Sequence, residues 1–102
     1  MEASLSDNAR VVQFNGSDIG TLSVARENFH IFVERLYLLP EFQRLGVGSS
    51  LVRSLLLEAK VAGLPLRLTV LAVNPAREFY AKHGFVVTAV TPERVHMEAA
   101  VT

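Results

Sequence analysis

The chain predicts an α/β (α+β) fold: a mixed, largely antiparallel sheet with two helices, in the order β-β-β-α-β-α-β-β. Three observations predict it. Apolar stretches joined by short turns fill residues 11–39, which is the pattern of an antiparallel meander. Apolar residues then recur at Val47, Leu51, Val52, Leu55, Leu56, Ala59 and Ala62, the spacing of one helical face. A breaker-bounded apolar run, Leu66–Val73, is followed at once by the helix-start signal Asn74-Pro75.

Taken in order, Met1–Asn8 is small and polar and is expected to be a loose lead. Val11, Val12 and Phe14 begin the first strand, and Asn15-Gly16-Ser17-Asp18 supplies turn chemistry before a second strand over Ile19–Ala25. Arg26-Glu27-Asn28 turns the chain into a third strand, His30–Leu39, rich in Ile, Phe, Val and Leu. The first helix runs from about Val47 to Ala62 and stops at Gly63, with Pro65 as a further breaker. Leu66–Val73 is apolar on both sides of its alternation, as a strand covered on both faces would be. It follows a strand–helix unit, so it is expected to run parallel to His30–Leu39 through a right-handed crossover. Asn74 caps a second helix that starts at Pro75 and ends at Gly84. Phe85–Val90 and Val95–Val101 form a closing hairpin around Thr91-Pro92-Glu93. There is no internal repeat or linker, so residues 1–102 are read as one domain.

Composition narrows the function classes. Ten basic and ten acidic side chains cancel, which argues against nucleic acid or an anionic membrane as a partner. The absence of cysteine excludes disulfides, thiolate metal sites and a cysteine nucleophile, and is consistent with a reducing, cytoplasmic setting. Arg67 interrupts the most apolar stretch, which is far shorter than the roughly 20 residues of a membrane helix. No His/Asp/Glu cluster has ligand spacing, so no metal is expected.

The chemistry-bearing stretch is Leu36–Leu57, where an apolar strand stops at Pro40 and Gln43-Arg44-Leu45-Gly46-Val47-Gly48 leads into the helix. The first turn of a helix has N–H groups without internal partners and partial positive charge. Glycines at 46 and 48 keep side chains out of the way, a geometry suited to a phosphate. The spelling Gln43-Arg44-x-Gly46-x-Gly48 resembles the Q/R-x-x-G-x-G/A signature of the GNAT superfamily of N-acetyltransferases. Downstream, Asn74-Pro75-Ala76-Arg77-Glu78-Phe79-Tyr80-Ala81-Lys82-His83-Gly84-Phe85 is similar to that family's later helix, and the resemblance covers roughly residues 10 to 101. It implies a sheet that parts between the third and fourth strands of this chain to admit acetyl-CoA. It also implies a shorter front than usual, without the strand and two helices with which members begin.

By this resemblance, Leu36, Tyr37 and Leu38 would meet pantetheine through their backbone. Gln43, Arg44, Leu45, Gly46, Val47, Gly48 and Ser49 would receive the CoA phosphates, mainly through main-chain donors, with the Ser49 hydroxyl as an extra. The alternative for Arg44 is a solvated loop cation, and for Leu36–Leu38 an ordinary core strand. Asn74 has a role as a helix cap beside its implied pantetheine contact. Tyr80 is the implied general acid for the departing thiolate, against plain aromatic packing beside Phe79. Glu34, which interrupts an apolar strand, is the leading base for the amine, against a rim ion pair with Arg35. His30, His83 and His96 are assigned no catalytic role.

The function implied is an acetyl-CoA-dependent N-acetyltransferase that moves an acetyl group directly to a primary amine. The alternative is a non-catalytic CoA or acyl-CoA sensor. Two helices cannot easily cover both faces of the sheet. The apolar Phe29, Ile31, Phe32, Val33, Leu22 and Val24 therefore suggest a surface covered by a second copy, as a homodimer.

Overall fold

In the computed structural model, which describes residues 9–43 and 45–100, the strands and helices follow the predicted order. They are β1 (Ala9–Phe14), β2 (Ser17–Arg26), β3 (Ile31–Leu38), α1 (Val47–Ala62), β4 (Leu66–Leu71), α2 (Ala76–Lys82), β5 (Val86–Val90) and β6 (Arg94–Ala99). A short 3-10 turn, Pro40–Phe42, connects β3 towards α1. The expected lead Met1–Asn8, Arg44, and the end of the last strand at Val101 lie outside the described residues.

The six strands form one sheet in the order β1-β2-β3-β4-β6-β5. All neighbours are antiparallel except β3 and β4, which are parallel because α1 carries the chain back to the same end of the sheet. Asn15 and Gly16, with φ of 53° and 83°, make the tight turn between β1 and β2 that their residue types favour.

Both helices lie on one face. Val52, Leu55 and Ala59 of α1 and Tyr80 of α2 join Val24, Ile31, Val33, Leu66, Leu68, Val95 and Met97 in a single buried cluster. Ile19, Leu66 and Val95 are fully enclosed, each contributing about 1.5–3 kcal/mol of transfer free energy. The Arg26 guanidinium on β2 reaches Glu58 of α1, with Nη2 donating to Oε1 at 3.0 Å. That ion pair holds the Glu58 carboxyl below its ordinary range.

Two expectations change here. β4 is not covered on both faces: Leu66 and Leu68 are buried, while Arg67 points to the opposite face and pairs with Glu98 at 2.7 Å. With both helices on the same side, the second face of β4 has no layer over it among the described residues. The apolar residues expected to need a second copy are also differently placed. Ile31, Val33 and Val24 are core beneath α1, whereas Phe29 is 82% exposed at a turn.

β3 carries a phase change. Ser23 pairs with Arg35 and Val24 with Val33, so Glu34 is an extra residue on β3, a bulge. Before it, Ile31 and Val33 face the helices. After it, Leu36 and Leu38 do, so Glu34 and Arg35 fall together on the open face.

Candidate active site

β3 and β4 stay together for three residue pairs, Ile31↔Leu66, Phe32↔Arg67 and Val33↔Leu68, and then diverge. Among the described residues, no strand lies opposite the β4-facing edge of β3 from Glu34 to Leu38. Backbone groups along an edge without a strand neighbour are open to other partners, so this stretch can bond to a ligand. A cavity of about 500 Å³ lies against it, lined by Leu36, Tyr37, Leu38, Gln43, Gly48, Asn74, Pro75, Ala76, Phe79 and Tyr80. The two separated sequence motifs thus meet across one hollow, the first from β3 and the start of α1, the second from α2.

Each wall has a local cause. Gly46 takes φ of 80° at the N-cap of α1, a conformation that side chains disfavour, and it has no side chain with which to cap the helix. The N–H groups of the first turn are therefore left for a ligand; the first carbonyl used is that of Gly46, accepting from Ser50 at 3.0 Å. A Cβ on Gly48 would meet Leu38 Cδ1 at 3.5 Å and Phe79 Cζ at 3.6 Å, ordinary contacts, so anything larger than a methyl must displace one of them or enter the cavity. Gln43 does more than its backbone promised. Its side-chain Nε2 donates to the Leu38 carbonyl at 2.8 Å and ties the loop to the end of the strand.

On the α2 side, the helix begins one residue later than expected, at Ala76 with Pro75 at its N-cap, and Asn74 accepts from the Ala76 N–H through Oδ1 at 2.9 Å from just before it. Its amide NH₂ is the group left for the cavity. Tyr80 is 7% exposed, edge-on to Phe79 at 5.2 Å and to Phe85 at 5.5 Å. Burial pushes its phenol above the ordinary tyrosine value, so it stays protonated and able to donate near neutral pH.

The remaining sequence-predicted residues are placed less centrally. Leu45, Gly46, Val47 and Ser49 form the approach to α1 and its first turn but do not line the cavity, and Arg44 lies outside the described residues. The Ser49 hydroxyl meets His83 Nε2 at 3.2 Å, a contact that the 34-residue separation hides in the sequence. Glu34 is not brought to the Tyr80 cavity. It lies on the open face, accepts from Ser23 Oγ at 2.7 Å and lines a second hollow of about 450 Å³ with Phe32 and Ala25. Phe79, expected only as a packing neighbour of Tyr80, forms cavity wall; its place one residue before Tyr80 in the motif is the available signal. Among the described residues no group of acidic, histidine or cysteine side chains is arranged to hold a metal.

An apolar-lined hollow, an uncapped helix start and an unpaired strand edge together suit a long ligand with a phosphate at one end and amides along its length. The sequence profile of the acetyltransferase (GNAT) domain matches residues 6–87. Ard1 from Thermoplasma volcanium is similar at 25% identity and a TM-score of 0.81, over 96% of this chain and 73% of that protein. The PaiA N-acetyltransferase from Thermoplasma acidophilum, solved with coenzyme A, is similar at 26% identity and a TM-score of 0.79, over 88% of this chain. This chain spans 58% of PaiA's length. An acetyltransferase from Bacillus cereus shares the fold at 23% identity and a TM-score of 0.76, over 88% of this chain and 69% of that one. No curated protein matches the sequence. The chain belongs to the GNAT acetyltransferase family and is an acetyl-CoA-dependent N-acetyltransferase.

Proposed function

We propose that the cavity under the β3–β4 opening holds the pantetheine arm of acetyl-CoA and that the acetyl group passes there directly to a primary amine. The observation that carries this reading is the meeting of the unpaired β3 edge, the uncapped start of α1 and the Tyr80 phenol around one hollow. Bound acetyl-CoA supplies an activated acyl group with a thiolate leaving group. The chain supplies the rest. Backbone groups of Leu36–Leu38 bind the amides, the first-turn N–H groups around Val47–Ser49 receive phosphate, and the Asn74 NH₂ orients the arm. Tyr80, kept protonated by burial, gives its proton to the leaving sulfur. Glu34, on the open face beside the opening, draws the ammonium form of the acceptor towards it.

The acceptor comes from the open face, because the helices and the cofactor cavity occupy the other. Val11, Tyr37, Leu71 and Val86 are each about half exposed or more on that open face. A second copy covering them would supply an acceptor wall, so a homodimer is part of this proposal; sedimentation at micromolar concentration tests it, and a monomer that still acetylates would exclude it. The cysteine-free composition favours a cytoplasmic location, testable by fractionation.

The deciding experiment measures thiol release from acetyl-CoA with a panel of amines: a peptide amide with a free N-terminus, a blocked lysine and a diamine. Release that depends on the amine supports the proposal. Calorimetric acetyl-CoA binding without release for any amine would replace transfer with sensing.

A further inference from the structure

The last paired residues of the two parallel strands are Val33 and Leu68, so the next residues, Glu34 and Thr69, flank the opening. Leu68 is buried under the helices, and strand alternation therefore sends Thr69 to the open face, where the acceptor arrives. Across β4, Thr69 is paired with His96 of β6, and its Oγ1 lies 2.9 Å from His96 Nδ1. A hydroxyl at the lip of the opening, backed by an imidazole, has the geometry of a proton path beside its role as a cross-strand pair.

Resting on the proposed site, we propose that Thr69 and His96 take the proton from the acceptor ammonium, with His96 as the proton acceptor reached through Thr69. As an N–H bond of the ammonium breaks, Thr69 Oγ1 gains that proton and passes its own to His96 Nδ1. This leaves a neutral amine and an imidazolium that later returns its proton to water. The amine lone pair then forms the C–N bond as the C–S bond breaks, with Tyr80 protonating the thiolate. The second amine proton, lost as the amide forms, restores the balance at Tyr80. Imidazole is the side chain best matched to such transfer near neutral pH. Glu34 is less suited to be the sink, because one of its oxygens is already held by Ser23. The charged groups facing His96 are Arg94 and Glu98 on its own strand and Arg67 on β4, which is bound to Glu98; its β5 partner, Ala89, carries none.

Two measurements test this. In the free protein, the ¹⁵N shifts of His96 should show the neutral ring protonated on Nε2, because Nδ1 accepts from Thr69, and Thr69→Val should abolish that preference. A neutral ring protonated on Nδ1 overturns the path without any cofactor present. With acetyl-CoA and a peptide amide bearing a free N-terminus, His96→Gln should lower kcat/KM roughly 10²-fold at neutral pH. The loss should be recovered as rising pH deprotonates the amine unaided, and acetyl-CoA affinity should not change. Thr69→Val should behave alike, with a double variant no worse than either single one. A His96→Gln protein with the parent's rate and pH profile removes this inference alone. A parent chain that releases no thiol removes the site reading with it.

Discussion

The two halves of β3 are built from similar residues and do different things. From Ile31 to Val33 the strand is bonded on both sides, to β2 and to β4, and its inward side chains are core. From Leu36 to Leu38 it is bonded to β2 alone, and its inward side chains, Leu36 and Leu38, form cavity wall as well as packing against their neighbours. Apolar character is shared by both halves. What separates them is the single extra residue Glu34 and the departure of β4. The lower half therefore contributes stability and the upper half binding, and substitutions should divide along that line.

The largest effect should fall on the lower half. Leu66→Ala, opposite Ile31 and fully buried, removes packing from the stable end and should cost roughly 2–5 kcal/mol in denaturant unfolding. If unfolding barely changed, the distinction between the halves would collapse. At the upper half, Tyr80→Phe keeps the ring stack and removes the proton. Turnover should fall by roughly 10²-fold with acetyl-CoA affinity nearly unchanged. Equal turnover would make Tyr80 core and nothing more. Next is Gly48→Glu, which forces a long anionic side chain past Leu38 and Phe79. Acetyl-CoA affinity measured by calorimetry should drop tenfold or more, about 1.4 kcal/mol, while Gly48→Ala stays close to the parent because its methyl makes ordinary contacts.

The smallest effect concerns neither half but the strap between sheet and helix. Arg26 lowers the Glu58 carboxyl in the folded state, so the pair stabilises above the unfolded carboxyl's range, and that increment is lost as pH falls through the folded value. Both side chains are over a third exposed, so the contribution is under about 1 kcal/mol. Arg26→Gln should flatten the acid limb of the stability curve by that amount, as thermal melts across pH would show.

Element order and type were legible throughout, because each element carries its own local signal. The α1 boundaries follow from the Gly46 turn and the Gly63 stop, and the Asn74 contact with the start of α2 from an Asx-Pro spelling. Much of the site was equally legible, since its two motifs are contiguous stretches whose spelling is bound to backbone geometry. The Gln43 side chain on Leu38, the Phe79 wall and the Ser49–His83 contact were not, because each pairs residues through space. The phase change at Glu34 was partly visible as two adjacent charged residues inside an apolar strand.

Sequence alone determined the order of strands and helices, the glycine turn before α1 and the chemistry of the two motifs, because these depend on neighbours along the chain. Tertiary structure decided how far β3 and β4 remain paired, which face both helices cover and where Glu34 and His96 stand relative to Tyr80. Those outcomes depend on register and on which side a crossover packs, and a bulge of one residue reverses every facing beyond it.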